Sequence, residues 1–231
     1  MNRINVTVWD EREGAIGPYP EGIYTEIANF LRKNGQLEVR IALQPQNEHG
    51  LTEEVLNNTD VLVYWAHCFH HEVADDIVAR IHQRVLNGMG IILLHSAHAS
   101  KIFQRLMGTN TDRLRWREVG ERERVWCIDP THPITVDVPE FFDVPKSEMY
   151  GEQFHIPTPD ELLFISWYEG GEVFRSGCTF KRGLGNVFFF APGHETYPIY
   201  TIPEVQKIIT NAVLWAAPKS KPTVTYGEIK L

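Results

Sequence analysis

The sequence predicts a three-layer α/β domain with a mainly parallel central sheet and a β-rich elaboration in its second half. Two apolar runs, residues 60–65 and 90–94, are short and uninterrupted, which is typical of strands buried on both faces of a parallel sheet. Up to residue 108, strand-like and helix-like segments alternate, the pattern of a doubly wound sheet. Beyond residue 110, strand-like segments dominate.

The elements of the first half follow from local patterns. Apolar and polar residues alternate over 4–9, which favours a strand, and a loop rich in glycine and proline follows. Pro20 suits the first turn of a helix, and an Asn-Gly pair ends it. The predicted elements are a strand over 4–9, a helix over 20–33, a strand over 38–43, a short helix over 52–56, a strand over 60–65, a helix over 73–86, a strand over 90–94 and a short helix that ends at Gly108.

The second half contains several strand-like stretches and a final helix. The predicted elements are two β-segments within 114–128 joined at 119–121, a strand over 162–167, a hairpin of 173–180 with 186–190, and a helix over 205–216. Because no linker-like segment separates these parts, we expect one domain over 1–218 and a tail over 219–231.

Composition limits the function classes. Of the 231 residues 43% are hydrophobic and 23% charged, as in ordinary globular proteins. The formal net charge of −8 argues against nucleic-acid binding, which needs a basic face. No apolar run approaches the roughly 20 residues of a membrane span, and no signal-peptide core precedes the first strand. With three widely spaced cysteines and no disulfide framework, we expect a cytoplasmic protein, and a homo-oligomer stays open.

Half of the ten histidines directly follow the two buried runs: His67, His70, His71, His95 and His98. Ligands of an open α/β sheet bind outside the carboxyl ends of its strands, so these imidazoles lie where the chemistry is expected. Imidazole and thiolate are common ligands of zinc, and Cys68 lies among them. The sequence therefore predicts a metal or acid–base site, although His70 and His71 could equally be surface residues.

Ser96 lies where a buried strand turns into a helix, which is the architecture of a nucleophile elbow. Such an elbow needs small residues around its nucleophile, as in G-x-S-x-G, but Leu94 and His98 occupy those positions. An N-cap role for Ser96 explains the same turn. His95 and His98 could instead present two imidazoles to a common point.

Two later stretches supply possible partners. Glu152 and His155 stand three residues apart, and His194 with Glu195 follows an apolar strand. Gly193 allows a sharp turn before that second pair, although a solvated loop would explain it as well.

Two further patterns are less specific. The stretch 113–124 alternates arginines with carboxylates, which is typical of the solvated face of a hairpin. Trp9 and Trp65 lie near the proposed sheet edge, where flat rings can stack on a sugar, and the other four tryptophans are expected in the core.

Seven segments carry a family resemblance: residues 6–11, 19–23, 49–52, 65–67, 89–96, 149–152 and 192–198. They resemble the trehalose-utilisation, ThuA-like family over nearly the whole chain. The resemblance implies a flavodoxin-like fold of the class I glutamine amidotransferase-like type, and a role in the use of trehalose and related disaccharides through oxidised keto-sugars. True amidotransferases carry a nucleophilic cysteine at the elbow. Here the matching residue is Ser96, or His95 if the register shifts, so glutamine hydrolysis is not expected. His155 stands where relatives are expected to have an acid.

Together these observations predict a metal-dependent enzyme acting on a sugar or keto-disaccharide. A divalent metal, zinc first, would polarise a carbonyl or activate a water. The expected ligands are His70, His98, Glu152 and His194, with His67 and His155 as alternates.

The remaining roles go to side chains on the same predicted sheet edge. The expected acid–base residues are Glu195, Asp10 and His95. The expected sugar contacts are Trp9, Trp65 and Tyr197. Two other functions stay open: a non-catalytic sugar-binding or regulatory module, and a hydrolase that uses Ser96.

Overall fold

The computed structural model describes residues 3–111 and 114–219, and in these a nine-stranded sheet carries helices on both faces. Of the predicted tail over 219–231, only Lys219 lies within the described residues. Within these ranges, no helix has the length and apolar character needed to cross a bilayer.

The described residues form nine strands and five helices. The strands are β1 (Ile4–Asp10), β2 (Leu37–Leu43), β3 (Val61–Trp65), β4 (Gly90–Leu94), β5 (Arg115–Cys127), β6 (Phe141–Gly151), β7 (Glu161–Tyr168), β8 (Val173–Arg182) and β9 (Gly185–Phe190). The helices are α1 (Ile23–Arg32), α2 (Glu53–Asn57), α3 (Asp75–Leu86), α4 (Lys101–Met107) and α5 (Pro203–Ala216). Short 3₁₀ turns at His70–Glu72 and His95–Ala99 follow β3 and β4.

The sheet is mixed, and the expectation of a mainly parallel sheet is wrong. Its strand order is β2-β1-β3-β4-β9-β8-β7-β5-β6. The pairings from β2 to β9 are parallel, whereas those from β9 to β6 are antiparallel. The strands of the second half therefore extend the central sheet, because β9 pairs with β4 on one side and with its hairpin partner β8 on the other.

Two strands of the second half differ from the prediction. Residues 115–127 form one irregular strand rather than two, since the register shifts between Arg117 and Glu121 while both ends still pair with β6. The strand β6 was not predicted from the sequence. It lies at the edge of the sheet, which explains how Pro145 is tolerated within it, and its exposed charges hide any simple apolar pattern.

The parallel strands are buried on both faces, as their apolar runs predict. Val63 and Trp65 of β3 pack in the cluster that contains α1 and α5, whereas Leu62 and Tyr64 pack in the cluster that contains α2, α3 and α4. Alternate residues of a strand point to opposite faces, so one short run serves two layers. Because β1, β3, β4 and β9 are parallel, their carboxyl ends lie side by side. These strand ends form one edge of the sheet, which is distinct from the edge strand β6.

Candidate functional site

Three histidines meet at this edge of the sheet. His67 follows β3, His95 follows β4, and His194 follows β9. Their ring centroids lie 6.0 Å apart for His67–His95, 6.1 Å for His67–His194 and 5.3 Å for His95–His194. Because β3, β4 and β9 are neighbouring parallel strands, their ends bring the three rings together. We call these three residues the histidine cluster.

His95 occupies the elbow. Its φ of 51° lies in the left-handed region, directly after the last residue of β4. Of the two residues that the sequence left open for this position, the backbone therefore singles out His95, with Ser96 next in the turn. A Cβ on Gly193 would lie 2.9 Å from the Cβ of His95 and would overlap the Tyr200 hydroxyl, so the opposing loop needs a glycine there.

The ring of His95 has a defined orientation. Its Nδ1 lies 3.2 Å from the Ala191 carbonyl oxygen, which can only accept, so Nδ1 carries a proton and donates it. Its Nε2 lies 3.3 Å from Glu148 Oε2 and 3.5 Å from the Tyr150 hydroxyl. The Tyr150 ring stacks on His95 at a centroid distance of 5.3 Å.

Glu148 brings a carboxylate to the histidine cluster from β6. Besides its contact with His95, its Oε2 lies 3.9 Å from His194 Nε2, and Glu118 Oε1 of β5 lies 3.6 Å from the same nitrogen. Burial raises the pKa of Glu148, but its hydrogen bond with His95 and its electrostatic interactions with His95 and His194 outweigh burial and hold it below the usual range. Glu148 therefore remains ionised beside the imidazoles.

His67 and Glu195 form a second pair, with 3.1 Å between Nδ1 and Oε2. Burial lowers the pKa of His67, yet the contact with Glu195 and the negative charges of Glu148 and Glu11 bring it above the usual value. Burial raises the pKa of Glu195, but the same contact lowers it to about 2. This pair is best described as imidazolium with carboxylate.

His194 is neutral by contrast. Its Nδ1 accepts a hydrogen bond from the Thr196 backbone N–H at 2.9 Å, which leaves the proton of the neutral ring on Nε2. Burial, followed by the electrostatic interaction with the neighbouring His95, lowers the pKa of His194 to about 4.

A buried carboxylate holds the loop after β3 in place. The two carboxylate oxygens of Glu11 accept hydrogen bonds from the backbone N–H groups of Cys68 and Phe69, at 2.7 and 2.8 Å. The loop that carries His67 and His70 is thereby tied to the end of β1.

A cavity of about 290 Å³ opens beside the histidine cluster. Ser96 and Tyr150, whose hydroxyl oxygens are 2.8 Å apart, contribute hydroxyls to its lining. Trp116 is 65% exposed, contrary to the expectation that it lies in the core. The described residues that line the cavity are His67, His70, Ser96, His98, Ala99, Leu114, Trp116, Glu118, Glu148 and Tyr150.

The four expected metal ligands do not converge. His194 belongs to the histidine cluster and His70 lines the cavity, but Glu152 is held by Arg175 in a two-pronged ion pair of 2.8 and 3.0 Å. His98 is buried between Tyr150 and Phe154, and burial lowers its pKa to about 3.

A different set brings its donor atoms together. Of the alternates, His67 lies in the histidine cluster, whereas His155 is exposed. Among the described residues, His95, His194 and Glu195 bring three possible donor atoms within 4.8 Å of one another.

The other expected roles are redistributed as well. Trp9 is fully buried and stacks on Tyr64 at 4.2 Å, and Trp65 is 1% exposed, so neither ring is open to a sugar. Asp10 is buried beneath the start of α1 and accepts the backbone N–H of Arg12 and Tyr24. Its burial raises its pKa to about 7.

Tyr197 does reach the site, with its ring centroid 4.7 Å from that of His194. Ser96 Oγ pairs with the Tyr150 hydroxyl and has no imidazole partner among its hydrogen bonds in the described residues, which gives no support to a serine hydrolase.

Three residues of the site, Trp116, Glu118 and Glu148, were not predicted from the sequence. Trp116 and Glu118 lie in the charged stretch that was interpreted as a solvated face. Glu148 alternates with Tyr150 along β6, and that period of two was the available signal.

The fold and the site together define an α/β domain with a histidine–carboxylate cluster at the carboxyl ends of its parallel strands. The chain belongs to the ThuA family, described as trehalose utilisation, whose model matches residues 5–216. This membership associates the chain with sugar utilisation. No curated protein matches the sequence.

Solved structures share the fold at low sequence identity. A ThuA-like protein from Parabacteroides merdae is 13% identical with a TM-score of 0.72, over 95% of this chain and 92% of that one. A cytoplasmic protein from Salmonella typhimurium is 14% identical with a TM-score of 0.63, over 93% and 99%. A β-galactosidase from Bacillus circulans is 11% identical with a TM-score of 0.55, over 94% of this chain but 32% of the enzyme. At these identities the likeness shows the fold alone.

Proposed function

We propose that the protein is a metal-dependent enzyme that acts on a sugar or keto-disaccharide in disaccharide utilisation. The observation that carries the proposal is the meeting of His95, His194 and Glu195, with donor atoms within 4.8 Å, beside a cavity of about 290 Å³. Membership of the ThuA family supports a sugar as the substrate. A divalent metal, zinc first, would polarise a carbonyl or activate a water there.

The donor set fits a metal in part. His95 donates Nδ1–H to a backbone carbonyl, an arrangement common among metal-binding histidines, and its Nε2 would be the ligand once it carries no proton for Glu148. The neutral ring of His194 has its Nδ1 lone pair engaged by the Thr196 N–H, so it would have to release that bond or move its proton to serve as a ligand. Glu195 would have to be shared with His67.

The chain's own side chains can move protons. His67 is held protonated by Glu195 and can donate to an oxygen of the substrate, whereas the ionised carboxylate of Glu148, which lines the cavity, can accept a proton. The Ser96 and Tyr150 hydroxyls at the cavity can orient sugar hydroxyls. In this proposal a base takes a proton from the carbon beside a sugar carbonyl while an acid gives a proton to the carbonyl oxygen, so the protons balance and no oxidant is needed.

A metal-free acid–base enzyme is the second candidate, because the hydrogen bond from the Thr196 N–H engages the His194 Nδ1 lone pair that a metal would need. For both candidates we propose a small sugar as the substrate, no nucleic-acid or membrane partner, and a cytoplasmic location. Whether the protein forms a homo-oligomer stays open in both.

Metal analysis of protein purified without a histidine tag separates the candidates. The metal-dependent enzyme predicts close to one divalent ion per chain, lost in His95→Ala and His194→Ala. His71→Ala is the matched control, because that side chain is 78% exposed on the neighbouring loop. Metal that is absent, or unchanged in both variants, would contradict metal dependence.

Turnover of keto-disaccharides, followed by mass spectrometry in the same preparations, tests catalysis itself. Sugar binding without turnover, with an affinity that Glu148→Gln does not reduce, would instead identify a non-catalytic binding module.

A further inference from the structure

The outer end of β5 forms one wall of the cavity. Trp116 and Glu118 stand two residues apart on this strand and both line the cavity. Trp116 pairs with Tyr150 of β6 in the antiparallel register, so the indole and the phenol share a face of the sheet. An indole that is 65% exposed is a large apolar surface left uncovered at a concave site.

The charge of this wall is negative. The carboxylates of Glu118 and Glu148 line the cavity, and no lysine or arginine does so in the part of the chain that the structure describes. The neighbouring Arg117 is engaged elsewhere, since its guanidinium forms ion pairs of 2.8 Å with both Glu121 and Glu172. The His67 imidazolium also lines the cavity, but its charge is already paired with Glu195. A phosphate or sugar carboxylate in the cavity would thus face the two carboxylates without an unpaired cation among the described lining residues.

We infer that Trp116 and Glu118 determine the specificity of the site, and that its substrate class is the uncharged sugar rather than the sugar phosphate or sugar acid. Trp116 stacks on the apolar face of a sugar ring. Glu118, with its side chain 41% exposed, accepts hydrogen bonds from sugar hydroxyls and repels anionic groups. This inference rests on the proposed function, because it names the substrate of the same site.

The test is calorimetric titration of the full-length protein with two probes, trehalose and trehalose 6-phosphate, which differ by one phosphate. Wild-type protein is expected to bind trehalose at least tenfold more tightly. Trp116→Ala weakens trehalose binding about tenfold and Trp116→Phe restores most of it, because a benzyl ring still stacks. Trp126→Ala is the matched control, since that indole is 36% exposed on the same strand but does not line the cavity.

The charge is tested separately. Glu118→Gln is expected to change the Kd for trehalose by no more than about threefold, but to reduce the ratio of the Kd for trehalose 6-phosphate to the Kd for trehalose. Glu118→Lys is expected to reduce this ratio further. Glu140→Gln, at an exposed site outside the cavity, leaves both affinities unchanged. A purely structural role of Glu118 would weaken both probes equally and leave their ratio unchanged. Circular dichroism verifies that each variant is folded.

Each result has one meaning. Equal affinity for the two probes in wild-type protein, or a ratio that no Glu118 variant moves, overturns the charge discrimination and leaves the proposed function standing. Trehalose binding that is unchanged in Trp116→Ala overturns the stacking role. Failure of the wild-type protein to bind either probe counts against the proposed function itself, and the specificity inference fails with it.

Discussion

Glu148 Oε2 lies 3.3 Å from His95 Nε2, although four strands separate β6 from β4 in the order of the sheet. In a flat sheet, five strand spacings would place the two strands about 24 Å apart. The antiparallel half must therefore curve back over the carboxyl ends of the parallel half. The candidate site is built from both halves of the chain. His95 follows β4 in the first half and His194 follows β9 in the second, while the carboxylates of Glu118 and Glu148 come from β5 and β6.

Gly193→Ala is expected to destabilise the protein by about 2–4 kcal/mol, because the added Cβ would overlap the Tyr200 hydroxyl and crowd His95. Gly35→Ala is the control, as its Cβ would meet nothing within 4 Å, and its effect should stay within about 0.5 kcal/mol. Urea unfolding of both variants measures the difference. If Gly193→Ala and Gly35→Ala were equally stable, the atoms around Gly193 would have to move apart without a cost in free energy.

Glu11→Ala is expected to release the loop after β3, because two backbone N–H groups lose their acceptors, at about 1–3 kcal/mol each. Hydrogen exchange should accelerate at the amides of Cys68 and Phe69. Glu13→Ala provides the comparison, since that side chain is exposed on the same segment. Unchanged protection at both amides in Glu11→Ala would contradict the anchoring role.

Asp10→Asn is expected to change how stability depends on pH. Burial raises the pKa of folded Asp10 to about 7, above the 3.8 of an ordinary aspartate. The folded state therefore binds the proton more tightly, and wild-type stability falls as pH rises from about 4 to about 7. Asparagine removes this dependence. The free energy of unfolding of the variant, relative to that of the wild type, should therefore rise with pH across that window, by about 1.4 kcal/mol for each pH unit between the two pKa values. Chemical denaturation at pH 4, 5.5 and 7 checks the trend. A constant difference at all three values would mean that Asp10 titrates normally.

A chelator is expected to lower the melting temperature at pH 8, if the protein holds a divalent metal, because an ion bound only to the folded state stabilises it by mass action. The wild type should lose several degrees, whereas His95→Ala should lose none. Identical melting temperatures with and without chelator, in a sample shown to contain metal, would exclude a tight site.

Ser96→Ala is expected to retain activity on sugars to within about tenfold, since its hydroxyl pairs with Tyr150 and no imidazole activates it in the described structure. For the same reason a fluorophosphonate probe should leave wild-type Ser96 unmodified. Stoichiometric labelling that Ser96→Ala abolishes would reinstate the hydrolase.

The sequence predicted the strands of the parallel half and the meeting of histidines at their carboxyl ends, and the reason is local. The runs before His67 and His95 are buried on both faces, and parallel strands end at one edge, so the histidines had to meet. The same burial argues against Trp9 and Trp65 as sugar contacts, because both lie within buried strands.

The carboxylates were harder to predict, because their placement depends on sheet curvature that no local pattern encodes. Glu152 was expected as a metal ligand and Glu148 was not considered, yet β6 ends at Gly151, and beyond it Glu152 forms an ion pair with Arg175. Within the strand, alternation places Glu148 with Tyr150.

At the left-handed turn of His95, the backbone geometry of the elbow does not depend on the reactivity of the side chain that the elbow presents. The backbone there is fixed by β4 before it and by the glycine opposite, neither of which depends on the side chain that the turn exposes. The resemblance to the class I amidotransferase type implies that those enzymes carry a cysteine thiol at this elbow. A substitution at a single codon can therefore exchange a nucleophile for a proton carrier or a metal ligand while the scaffold persists, which makes the elbow a point of evolutionary exchange between chemistries.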